Sequence, residues 1–201
     1  MTVTGSGSVR VRPDLARVGI SVQAAGAEAI TALDRATETM TEVFAALAGQ
    51  GIGEDDFATD GLTVQQAWAN GQPSGYECSQ QLQLLLGELD AVGTVLRAVA
   101  AVGGDRLRIN DLRLDIRDRS EGTEQARALA FADARARAEQ YARLAGRQLG
   151  AVVSVSEQVG SAQPVRMARL AMAAAAAPAV PISAGGLDVQ MSVTVQWALL
   201  A

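Results

Sequence analysis

Apolar residues recur along this chain at two spacings, and the order in which those spacings succeed one another leaves few folds open. Period-two alternation runs through Val3, Val9 and Val11, and again through Val18, Ile20 and Val22 after a Pro13-Asp14 turn. Residues 2–24 therefore read as a β-hairpin. Helical spacing follows from Glu28 to Gln50 through Ile30, Leu33, Met40, Phe44 and Leu47, and Gly49 and Gly51 end it. Phe57–Ala69 and Ser74–Leu86 form a second hairpin about Asn70-Gly71, and Leu89, Val92, Leu96 and Val99 mark a second helix closed by Gly103-Gly104. A strand over Leu107–Ile116, a long Ala-rich helix over Thr123–Ala145 and a strand over Val152–Val159 come next. The last strand, Leu187–Leu199, alternates through Val189, Met191, Val193, Val195 and Trp197. Two consecutive hairpins argue against a purely parallel sheet. The order ββαββ-αβαββ is that of an α+β fold, a largely antiparallel sheet or sheets with three main helices.

The 201 residues suit one domain over 1–201, or two packed lobes of about 1–86 and 87–201. A chain of this length buries roughly 70% of the surface its unfolded form exposes, so no metal or disulfide is needed to hold it. Aromatics are only 3% of a chain that is 49% hydrophobic, so the core must be built from Val, Leu, Ile and Ala. One stretch stands outside this pattern: residues 160–186, GSAQPVRMARLAMAAAAAPAVPISAGG, are a low-complexity Ala/Pro-rich insert. Its apolar run falls short of the roughly 20 residues a membrane helix needs, and Pro178 and Pro181 break it. Met167, Leu170 and Met172 within it are candidate oligomer contacts, because an insert of this length is usually functional or disordered.

The composition also excludes chemistry. All 17 basic residues are Arg, so the two side chains best suited to general base or Schiff-base work near neutral pH, His and Lys, are absent. A net charge of −5 does not support a nucleic-acid footprint. Cys78 is the only cysteine, which rules out an intrachain disulfide or a cysteine-cluster metal site. No apolar h-region follows Thr2, so the chain as written reads as cytoplasmic, or as periplasmic or secreted with its leader removed.

Gly5-Ser-Gly7-Ser looks most like a ligand loop. A dinucleotide fingerprint needs a third glycine and a following helix, and here Arg10, Pro13 and a second strand follow instead. Glycines in a strand mark a bulge or a close backbone approach, and the phase of Val3 and Val9 points to a bulge. Cys78 shares strand phase with Tyr76, Leu82 and Leu84, as a buried thiol does. The pairs Asp55-Asp56, Asp111 with Asp115, and Glu121 with Glu124 read as solvated or capping acids, and Asp34, Glu38 and Glu42 as one solvated helix face. On the third helix Glu124–Arg127, Asp133–Arg137, Arg135–Glu139 and Glu139–Arg143 stand three or four apart as charge pairs. Leu129, Ala130, Tyr141 and Leu144 form its buried side. No catalytic, cofactor-binding or metal-ligating residue emerges, and the chain reads as a non-enzyme without a cofactor. Trp68, Tyr76 and Trp197 are the candidate aromatics of a groove between sheet and helices that would take a ligand or protein partner.

Taken together, TVTGSGSVRVRPDLARVGISV, GIGEDDFATDGLTV, SGYECSQQLQLLL with LDAVGTVLRAV, and ADARARAEQYARLAGRQLGAVVSVSE resemble the SIMPL-domain family, as do the insert and the closing VQMSVTVQWAL. That family includes bacterial periplasmic or outer-membrane immunogens and a eukaryotic protein associated with a receptor-linked kinase. The resemblance implies an α+β fold, no established catalytic activity, and a ring- or channel-like homo-oligomer in some bacterial members. It also implies links to the cell envelope and to oxidative stress. The chain departs from the family in showing no signal peptide, and in having Gln65-Gln66-Ala-Trp68 where a Pro-x-Tyr-like element is common.

Overall fold

The computed structural model describes residues 1–159 and 185–200, so the candidate contacts Met167, Leu170 and Met172 lie outside the described residues. The elements follow the expected order: strands β1 (Thr2–Val11) and β2 (Leu15–Gly26), helix α1 (Ala29–Gly49), strands β3 (Phe57–Ala69) and β4 (Gln72–Leu86), helix α2 (Val92–Gly103), strand β5 (Leu107–Asp115), helix α3 (Ser120–Leu144), and strands β6 (Gln148–Val159) and β7 (Leu187–Leu200). Every strand pairing is antiparallel. The α+β class therefore holds, with two sheets and three helices among the described residues.

The described residues divide into two compact units. The first, residues 1–13, 116–159 and 185–200, holds a three-stranded sheet in the order β1-β7-β6 with α3 on one face. The second, residues 14–115, holds a four-stranded sheet in the order β3-β4-β2-β5. Val18, Ile20, Val22, Leu82 and Leu84 of that sheet share one buried cluster with Met40, Val43 and Leu47 of α1 and Val92 and Val99 of α2, so both helices cover the same face.

The expected hairpin over residues 2–24 does not form. β1 pairs along its whole length with β7, from Thr2 opposite Gln196 to Val11 opposite Leu187. β2 instead lies between β4 and β5. The connection explains this: tight two-residue hairpins want Asn or Gly at positive φ, and Arg12-Pro13-Asp14 offers neither. Asn70-Gly71 does, at φ of 54° and 78°, and the β3–β4 hairpin closes on it.

The bulge expected at Gly5 and Gly7 is also absent, since the β1–β7 register runs without a shift. Both glycines are buried beneath α3. A Cβ on Gly5 would run into the carbonyl oxygen of Ala130 and stand 2.7 Å from the Ala134 Cβ, and one on Gly7 would stand 2.9 Å from the Leu129 Cβ. The helix answers with its own small residues. Gly122, Ala126, Ala130, Ala134, Ala138 and Ala142, every fourth residue, are its buried stripe. Leu129, Tyr141 and Leu144, expected on the buried side, are exposed instead; only Ala130 of that set is buried. Alanine recurring at four-residue spacing lets strand and helix backbones approach more closely than leucine would allow.

Candidate functional site

Sheet edges, where backbone groups lack a strand partner, are places where a chain can take up another strand. The three-stranded sheet treats its two edges differently. On β1, Asp133 of α3 accepts the backbone N–H of Ser6 through Oδ2 at 2.9 Å. Arg137 donates to the Thr4 carbonyl at 3.4 Å while pairing with Asp133 at 2.9 Å. A helix carboxylate and guanidinium thus occupy two of the outward backbone groups of that strand. The Ser6 N–H, and to a lesser degree Arg137, hold the Asp133 carboxyl below the usual carboxylate range.

The β6 edge is the opposite case. α3 packs chiefly on β1 and β7 and reaches β6 in few places. Arg127 makes one such contact, a two-armed pair with Glu157 at 2.8 and 3.0 Å that lowers the Glu157 pKa and raises that of Arg127. Val155 lies opposite Val195, a core residue under α3, and so points to the helix side, yet it is 55% exposed. Val153 sits where the β6–β7 register shifts and is 62% exposed. Tyr141 and Leu144, on the last turns of the helix that leads into β6, add exposed apolar surface.

The four-stranded sheet has a comparable edge in β3. Val64 lies opposite Cys78 and Leu62 opposite Gln80, so both point to the helix-covered side, but α1 lies mainly over β2 and β4. Leu62 is 54% exposed. Between the second half of α1 and the start of β3 runs an open groove of about 640 Å³, lined by Thr41, Phe44, Ala48, Ile52, Glu54 and Phe57 among others. Phe44 and Phe57 stack in its wall with ring centroids 5.2 Å apart.

The aromatics singled out from the sequence have separate fates. Trp197 is 3% exposed and packs against Phe131 in the core of the first unit, with ring centroids 6.4 Å apart. Tyr76 is half-buried against the core of the second unit, and Trp68 stands 63% exposed near the tip of the β3–β4 hairpin. Cys78 is fully buried, and burial pushes its thiol pKa up, the reverse of what a nucleophile needs. Asp56 caps a turn, accepting the Gly53 N–H at 3.3 Å. Among the described residues no three His, Cys, Asp or Glu side chains gather to hold a metal, and no helix is long and apolar enough to cross a membrane.

Sequence reasoning missed the capping of β1 by Asp133 and Arg137, because it assigned that pair only to the helix surface. The signal was present in the pairing of two glycines two apart on a strand with alanines four apart on a helix.

The model of the SIMPL family, described as a protein of unknown function (DUF541), matches residues 1–197. The 26 kDa periplasmic immunogenic protein of Brucella melitensis biotype 1 is 32% identical over 97% of this chain and 82% of its own. The uncharacterized protein YggE of Escherichia coli K12 is 28% identical over 92% of this chain and 74% of its own. Neither name describes an enzyme. A solved structure of an unknown protein from Galdieria sulphuraria covers 90% of this chain and 81% of its own at 12% identity, with a TM-score of 0.27.

Proposed function

This chain belongs to the SIMPL family, and we propose that it works without catalysis, as a protein that associates with copies of itself. The observation that carries the reading is the contrast between the two edges of one sheet. On β1, Asp133 and Arg137 hold the Ser6 N–H and the Thr4 carbonyl, whereas β6 displays Val153 and Val155 to solvent. An edge with exposed β-branched residues is a template for another strand. The absence of His and Lys from the sequence is a second support, because it removes the usual proton-transfer groups. A ring- or channel-like form, and an envelope or stress-related role, are what the family resemblance adds to this proposal. That the Brucella relative is a periplasmic immunogenic protein by name supports a periplasmic location for this chain as well.

Native mass by light scattering on a sizing column tests the reading. A defined oligomer is expected for the full chain, and deleting residues 162–184 tests whether the insert, with Met167, Leu170 and Met172, is part of the contact. A monomer at every concentration would overturn it. A second reading, a ligand-binding module, is favoured by the groove between α1 and β3. A saturating ligand there would raise the melting temperature.

A further inference from the structure

The charges of this chain are segregated along its sequence. Residues 14–115 carry six Arg against fifteen acidic residues, and the rest of the chain carries eleven Arg against seven. The division is sharp at the β3 and β6 edges. No basic residue lies between Arg35 and Arg97, a span that includes β3 and the exposed acids Glu54, Asp55 and Asp60 at its start. No acid lies between Glu139 and Glu157, a span that includes most of β6, and exposed Arg143 and Arg147 stand just before it.

We infer that the β6 edge of one copy docks on the β3 edge of the next. The inference rests on the self-association proposed above and names its two faces. Each edge couples an exposed apolar pair to a charged approach, and the charges are opposite. On β6 the pair is Val153 and Val155, preceded by Arg143 and Arg147. On β3 it is Leu62 and Val64, preceded by Glu54 and Asp60. In both strands the charge comes before the apolar pair in chain order. Strands running in the same direction therefore set the basic start of β6 beside the acidic start of β3, whereas opposed strands would set the arginines against the uncharged Trp68 end. The lengths agree, at 12 residues for β6 and 13 for β3.

A β6 edge offered to a second β6 meets only one acid there, Glu157, which Arg127 already holds, and a β3 edge offered to a second β3 meets no basic residue, so charge favours a contact between different faces. A contact between different faces leaves one free β6 and one free β3 on every pair of molecules. Association then continues until it closes on itself or grows.

Charge reversal on the full chain tests this. Glu54→Arg with Asp60→Arg makes one variant, and Arg143→Glu with Arg147→Glu the other; all four side chains are exposed, and far-UV circular dichroism checks that both variants fold. Each variant alone is expected to run as a monomer where the unaltered chain is oligomeric, and an equimolar mixture is expected to regain high mass. Raising the salt concentration should lower the mass of the unaltered oligomer, since exposed charge pairs are screened. If the Glu54→Arg/Asp60→Arg variant still associates like the unaltered chain, or the mixture stays monomeric, this pairing of faces is wrong while self-association stands. If the unaltered chain is itself monomeric throughout, the self-association reading has failed as well.

Discussion

Asp133 on α3 and Ser6 on β1, 127 positions apart in the chain, are joined by a 2.9 Å bond in which the Ser6 backbone N–H donates to the carboxylate. The bond turns a helix surface residue into the cap of a strand edge, and it makes that cap sensitive to acid. The Ser6 N–H, with Arg137 behind it, depresses the folded-state pKa of Asp133. A carboxyl depressed on folding contributes its stability above its unfolded pKa and loses it as pH falls through the folded one. Asp133→Asn should therefore be less stable than the unaltered chain near neutral pH, with the difference shrinking in acid below the carboxylate range. Urea unfolding from about pH 7 to about pH 3 measures it. A difference that does not change with pH would remove Asp133 as the titrating cap.

The seat of α3 on β1 has no room for a methyl group. Gly5→Ala or Gly7→Ala would press a Cβ into the helix backbone at Ala130, and overpacking of this kind costs typically about 1–3 kcal/mol. Gly61→Ala is the control: its added Cβ meets nothing within 4 Å, and its φ is not positive. That change should be neutral or slightly stabilising, because alanine restricts the unfolded chain. Equal effects at Gly5 and Gly61 would refute the close approach.

The helix side of the same contact gives a second contrast. Ala134→Leu inserts three carbons beneath a helix that lies on Gly5, and should destabilise by about 1–3 kcal/mol. Leu144→Ala removes the same three carbons from the same helix, yet Leu144 is 76% exposed. Its effect should lie within about 0.5 kcal/mol. Thermal melts of the two variants decide whether size or position governs this helix.

That contrast shows what could be read before any coordinates. Periodicity located the strands and helices, because apolar phase along an element is a local property. Pairing is not local. Val3, Val9 and Val11 look the same whether β1 faces β2 or β7, and only the chemistry of the Arg12-Pro13-Asp14 connection spoke against the hairpin. The buried side of α3 was misjudged for a different reason. Apolar size normally marks the inward face, but Gly5 and Gly7 leave a seat that only alanine fits, so Leu129, Tyr141 and Leu144 were driven outward. The open edges were legible least of all. Val153 and Val155 have the pattern of core residues, and their exposure follows from where α3 stops, which no window of sequence reports.

The two tryptophans report on the two units separately, and this provides a direct check on the described fold. Trp197 is buried beside Phe131 in the first unit, whereas Trp68 is exposed in the second. Trp68→Phe leaves only Trp197, whose emission should be blue-shifted, resistant to iodide and strongly red-shifted on unfolding. Trp197→Phe leaves only Trp68, whose emission should already be red-shifted, open to iodide and little changed by denaturant. Trp197→Phe should also lower stability, by removing packed ring volume from a core that holds few aromatics. If Trp68 were instead the shielded residue, either the β3–β4 hairpin is covered by another copy or its placement is wrong. Repeating the iodide titration on diluted protein separates these, because only a covering partner would leave on dilution.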